Sequence, residues 1–130
     1  MCKPAKWRDE KWLNAIETAA HGIMESGIPE KQTPGFWNNV GQCCGSAGVA
    51  EFFLALYRIT KKDEYLNFSR KMTSDLLSRA TIDKNGMRWL QAEHRVRPDL
   101  LIAQTGYMQG AAGIGMFFLR LMLLNEIKSQ

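Results

Sequence analysis

No stretch of the chain offers the roughly 20 uninterrupted apolar residues needed to cross a bilayer; the longest candidate, Gly110 to Leu124, is broken by Arg120. A membrane span is therefore not expected. Met1-Cys-Lys-Pro4 leads into charges and tryptophan rather than the apolar core of an export signal, which makes a cytoplasmic location the expectation. Cysteine is scarce: three residues are too few for a disulfide framework, and the number is odd. Cys43 and Cys44 are neighbours, a pair that seldom closes on itself because the ring is strained, so reduced thiols are expected. Blocks of one charge are missing as well. The 17 basic and 13 acidic residues leave a net charge of +4 but are interspersed, and only Arg88, His94, Arg95 and Arg97, beside Trp89, form a basic concentration. That is too little charge on one face for a nucleic-acid footprint. With 45% hydrophobic and 23% charged residues over 130 positions, the chain has the composition and length to bury a core, which excludes a disordered segment.

What the sequence does contain is an internal repeat. Gly41-Gln-Cys-Cys-Gly-Ser-Ala-Gly48 returns 65 residues later as Gly106-Tyr-Met-Gln-Gly-Ala-Ala-Gly113, and the continuation to Leu56 and Leu121 brings the shared residues to eight. Gly41/Gly106, Gly45/Gly110 and Gly48/Gly113 mark a glycine loop; Phe52/Phe117, Phe53/Phe118, Leu54/Leu119 and Leu56/Leu121 mark the apolar helix behind it. A 65-residue period fits a helical hairpin with its connections. Two uses of the glycines are open. They allow close approach of backbones at the helix start, or they expose helix N-terminal N–H groups to a bound anion or oxygen. Gln109 stands where Cys44 stands in the first loop, so the second loop is not a second metal site.

The pair of motifs, Gly-x-Cys-Cys-Gly-x-Ala-Gly followed by Gly-x-x-x-Gly-x-Ala-Gly-Ile-Gly, resembles the C-terminal part of the lanthionine synthetase C-like family over most of Trp37 to Leu123. The resemblance implies an (α/α) toroid of helical hairpins whose glycine loops lead into inner helices. It also implies a zinc ion held by a Cys from one loop and an adjacent Cys-His pair from the next, activating a peptide thiol for thioether formation, as in lantibiotic biosynthesis. On that basis Cys43 and Cys44 are the metal-ligand candidates, with Cys44 standing where the family has His. Thiolates suit zinc, so the departure is chemically acceptable. The family's first zinc Cys and its catalytic His and Arg lie upstream of the matched loops, and a complete cyclase site is not expected in this chain. Burial as small apolar residues is the alternative for Cys43 and Cys44. His21 or His94 is available as a further ligand, and Cys2 reads as a bystander near the terminus.

Along the chain, the apolar spacing of Trp12, Ile16, Ala19, Ala20, Ile23 and Met24 predicts a helix over 9–26, stopped by Gly27 and Pro29. Phe36 and Trp37 are expected to anchor the loop into the first glycine motif. Further helices are predicted over 45–59, over 63–80 with Asp63 as N-cap, and over 110–124. Asp83-Lys-Asn-Gly86 is a hairpin signal with short strands over 80–82 and 87–90. The polar run Gln91 to Pro98 reads as a loop or a strand end. Its Glu93 and His94 are adjacent, and neighbours on a strand face opposite ways, which disfavours an acid/base pair.

The expected fold is all-α: one helical domain over 1–130, forming a partial (α/α) toroid of two hairpins with Gly-rich loops and a short β-hairpin. Such an arc leaves lateral faces that neighbours normally bury, so self-association or docking to a missing toroid part is expected. Three functions follow. The first is a part of a lanthionine synthetase C-like protein contributing Cys43 and Cys44 to a zinc site for peptide thiol chemistry, inactive alone. The second is a noncatalytic helical scaffold or peptide-binding module. The third is a fragment of a carbohydrate-active (α/α) toroid using Glu51 and Asp99 as paired carboxylates.

Overall fold

The computed structural model describes residues 10–31, 39–94 and 96–128. These fall into two compact units divided after Lys31. The first holds helix α1 (Glu10–Glu25), close to the span predicted from its apolar spacing. Ala20 is fully buried, while Trp12 is 67% exposed and Ile16 is also exposed.

The second unit runs α2 (Ser46–Thr60), α3 (Asp63–Ser78), β1 (Ala80–Asp83), β2 (Gly86–His94), β3 (Arg97–Ala103) and α4 (Ala111–Lys128). Helices α2 and α3 form a tight antiparallel hairpin. Lys61, in the left-handed conformation at φ 61°, ends α2 by donating its N–H to the Tyr57 carbonyl at 2.8 Å. The cap position of α3 is taken by Lys62 without a side-chain bond, so Asp63 is not the N-cap; with Glu64 it sits in the first turn, where its charge meets the positive end of the helix dipole. Between the helices Phe53 stacks against Phe68 at 4.4 Å and Tyr65 at 6.0 Å. Leu54, Leu66, Met72 and Leu76 are buried around them, each worth about 1.5–3 kcal/mol of transfer free energy. Ser69 donates to the Ala50 carbonyl across the same interface at 2.8 Å, which satisfies its buried hydroxyl.

The strands form one antiparallel sheet in the order β1-β2-β3. The β1–β2 turn is set at Asp83-Lys-Asn-Gly86: Asp83 pairs with Gly86, Gly86 takes the positive φ of 114°, and Asp83 Oδ1 accepts the Asn85 N–H at 2.9 Å. Buried Trp89 ties the sheet to the helices by donating its Nε1–H to the Leu76 carbonyl at 2.7 Å.

Of the two alternatives for 91–98, the strand end holds for 91–94, since β2 continues through His94; the third strand β3 was not expected and pairs with it, with Leu90, Gln91, Ala92 and His94 opposite Ala103, Ile102, Leu101 and Arg97. Pro98 is tolerated because β3 is an edge strand, where a missing N–H need not break the ladder. The fold is therefore mostly helical with a three-stranded sheet, not purely helical with one hairpin. Among the described residues no helix is long and apolar enough to cross a membrane.

Candidate metal centre at the paired glycine loops

The 65-residue repeat is reproduced in the backbone hydrogen bonds. Ser46 and Ala47 donate to the carbonyls of Asn39 and Val40 at 3.4 and 3.1 Å, and the aligned Ala111 and Ala112 donate to Gln104 and Thr105 at 3.0 and 3.2 Å. Gly48 likewise donates to Gly41 at 3.3 Å. Each loop thus folds back over the first turn of its own helix and takes up the N–H groups there. The reading in which those N–H groups are open to an anion is corrected, and the packing reading of the glycines holds. A Cβ on Gly45 would lie 2.5 Å from the Asn39 carbonyl oxygen, and one on Gly110 would collide with the aligned Gln104 oxygen. Gly48 and Gly113 are under the same constraint from the carbonyls of Gln42 and Tyr107, again an aligned pair.

The two loops also pack on each other. Cys43 donates its N–H to the Met108 carbonyl at 2.8 Å, and Gln42 Nε2 reaches the Gly113 carbonyl at 2.9 Å. Gly41 makes the approach possible, since a Cβ there would stand 2.7 Å from the Met108 oxygen. Gln91, 3% exposed on β2, braces both loops. Its Nε2 donates to the Gln109 carbonyl and its Oε1 accepts the Val40 N–H at 3.4 Å. No local pattern signals this role, because the partners lie 18 and 51 residues away.

This bracing puts Cys43 and Cys44 on the rim of a small hollow of about 40 Å³, lined also by Asn39, Gln91, Met108 and Gln109. Both thiols are exposed and neither is in a disulfide. Their sulfurs lie 3.3 Å apart, with Cys44 donating to Cys43. Asn39 Oδ1, buried on the same hollow, has no hydrogen-bond partner among the described residues. Burial as small apolar residues is therefore not the state of these cysteines.

A family model described as lanthionine synthetase C-like protein matches residues 1–129. The chain belongs to the lanthionine synthetase C-like family. Comparison with curated proteins and with solved structures gave no match.

Family membership implies zinc, and the first loop fits it in part. A zinc ion sits about 2.3 Å from each thiolate it binds, so two sulfurs 3.3 Å apart are within reach of one ion. They supply two donors; among the described residues no group of three or more His, Cys, Asp or Glu converges. His21 sits on α1 in the first unit, and His94 ends β2 with its side chain outside the described residues. Cys2, Phe36, Trp37 and the side chain of Glu93 also lie outside them. Glu51 and Asp99 are each engaged by arginine: Glu51 on α2 by Arg120 of α4 at 2.7 Å, Asp99 on β3 by Arg97 at 3.2 Å. Arg120 also reaches the Tyr107 hydroxyl at 3.4 Å, and the Glu51 carboxylate, with that hydroxyl, raises its pKa above the ordinary arginine value.

Proposed function

We propose that this chain contributes Cys43 and Cys44 to the zinc site of a lanthionine synthetase C-like protein, in a helical arc that forms part of an (α/α) toroid acting on a peptide thiol in the cytoplasm. The observation that carries the reading is the thiol pair itself, 3.3 Å apart on a hollow that the second glycine loop closes from one side. Zinc, when bound, would favour the thiolate form of a coordinated substrate cysteine. The chain's own residues hold and orient. Cys43 is fixed through its backbone N–H to Met108, and Gln91 keeps the two loops in register. Among the described residues no group of three or more His, Cys, Asp or Glu converges, and thioether formation by the chain alone is not part of the reading.

Cys44 provides the sharpest test, since the family carries His at this position. Cobalt(II) added to the reduced chain should give thiolate-to-cobalt charge-transfer absorption. Cys44→His should keep the metal with roughly half that intensity, in proportion to the thiolates remaining. Cys44→Ala should bind more weakly than Cys44→His. Equal spectra for the wild type and Cys43→Ala/Cys44→Ala would end the proposal and leave a noncatalytic scaffold.

A further inference from the structure

Cys43 and Cys44 place two exposed thiols side by side, and their chemistry reaches beyond zinc. The sulfurs are 3.3 Å apart, with Cys44 donating to Cys43, and neither is in a disulfide. The loop that carries them is held on both sides. The Cys43 N–H is fixed to the Met108 carbonyl at 2.8 Å, and Gly45 sits where a Cβ would lie 2.5 Å from the Asn39 carbonyl oxygen. Behind the loop Ser46, 1% exposed, donates to Asp75 Oδ2 at 2.6 Å, and Arg79 reaches the same hydroxyl at 3.3 Å. The backbone before and after the thiols is thus anchored to the second glycine loop and to α3, which lowers the ordering cost of any ligand that bridges them.

Two features of the pair select among thiophilic centres. The first is the number of donors. Among the described residues no group of three or more His, Cys, Asp or Glu converges, so the site brings two thiols together. Zinc takes three or four protein ligands, whereas a trivalent arsenic that already carries one carbon substituent takes two and prefers both to be sulfur. The second feature is the angle. At about 2.3 Å per bond, two sulfurs 3.3 Å apart subtend roughly 90° at the atom between them. That is narrower than the tetrahedral angle of zinc. It is close to the bond angle of pyramidal trivalent arsenic, whose lone pair compresses its three bonds and whose bonds to sulfur are similar in length to those of zinc.

We propose that Cys43 and Cys44 form a covalent capture site for monosubstituted trivalent arsenicals. The hydrated arsenical, with one carbon substituent and two hydroxyls on arsenic, exchanges both hydroxyls for the two thiols. Two As–O bonds break and two As–S bonds form, each thiol proton leaves with a hydroxyl as water, and arsenic stays trivalent. The carbon substituent fills the third position, so no further donor is asked of the protein. Inorganic arsenite has three exchangeable hydroxyls, one of which finds no sulfur here, and is held less firmly. Cys44 decides the chemistry: the His that the family carries at this position leaves one thiol, whose single As–S bond any monothiol displaces. The inference uses the thiol pair and does not depend on zinc.

The test adds phenylarsine oxide, which hydrates to such an arsenical, to the whole reduced chain and reads the adduct by intact mass spectrometry, with circular dichroism to confirm folding. Every sample carries Cys2→Ala, so that the third cysteine takes no part. The mass should rise by one phenylarsenic group less two hydrogens. The adduct should persist in excess mercaptoethanol and be released by dimercaptopropanol. Cys43→Ala, Cys44→Ala and Cys44→His should each bind at least about a hundredfold more weakly, because the second attachment is lost. A peptide spanning 41–48 should bind more weakly than the folded chain by at least about tenfold, since nothing holds its thiols together. An adduct that survives in Cys44→His, one that mercaptoethanol removes from the parent chain, or equal affinity in the peptide would overturn the proposal. Zinc is measured on the same samples. Zinc without an arsenical adduct would overturn this inference and leave the zinc reading standing; an adduct without zinc would support this inference and end the zinc reading.

Discussion

At the scale of single residues, aligned positions carry unequal constraints. Gly41 accommodates a neighbouring loop 2.7 Å from where its Cβ would be, while Gly106 faces open space. Gly41→Ala should therefore lower the free energy of unfolding by about 1–3 kcal/mol, as overpacking against backbone does. Gly106→Ala should change it by less than about 0.5 kcal/mol, the usual range for an unconstrained surface site. Urea denaturation of the two variants checks the difference. The glycine loops and the Cys43-Cys44 pair were legible in the sequence because they repeat or adjoin. The unequal demands on the glycines were not, since identity at aligned positions says nothing of which copy has a neighbour. Gln91 and Asn39 were missed for a related reason: their significance lies in what the fold brings near them, and neither belongs to a recurring motif.

Among the elements, helices were read closely because apolar spacing and the chain's punctuation agreed. Gly27 and the Lys61-Lys62 turn bound α1 to α3 within a few residues of the predicted ends. β3 was not foreseen. The polar run ending at Pro98 reads as a loop or a strand end, yet an edge strand tolerates a proline and leaves the Arg97 and Asp99 side chains in solvent. The β1–β2 hairpin carries its own pH dependence. Asp83 is held below the ordinary carboxylate pKa first by the Asn85 N–H, then by Arg88 at 2.7 Å. A folded value below the unfolded one means that the carboxylate stabilises the turn above the unfolded pKa and that this support is lost as pH falls through the lowered folded value. Amide shifts of Asn85 and Gly86 should therefore titrate in acid, with a midpoint below the ordinary aspartate range. In Asp83→Asn that transition should vanish.

At the scale of the whole molecule, family membership was readable from two glycine motifs and their spacing, and the match over residues 1–129 establishes it. The repeat supplies much of the architecture: two loops with matching backbone hydrogen bonds and, behind each, a helix, α2 and α4, joined by the Glu51–Arg120 ion pair. What the sequence could not give is the way β2 seats both loops, because strand pairing and side-chain bracing are long-range events. That bracing is what brings the thiols to a shared hollow. Zinc per chain, measured by elemental analysis on protein purified under reducing conditions beside Cys43→Ala/Cys44→Ala, tests the central claim most directly. The account predicts about one zinc per wild-type chain and none in the variant, since binding needs the deprotonated thiols. Zinc absent from the wild type, or retained equally by the variant, would contradict it.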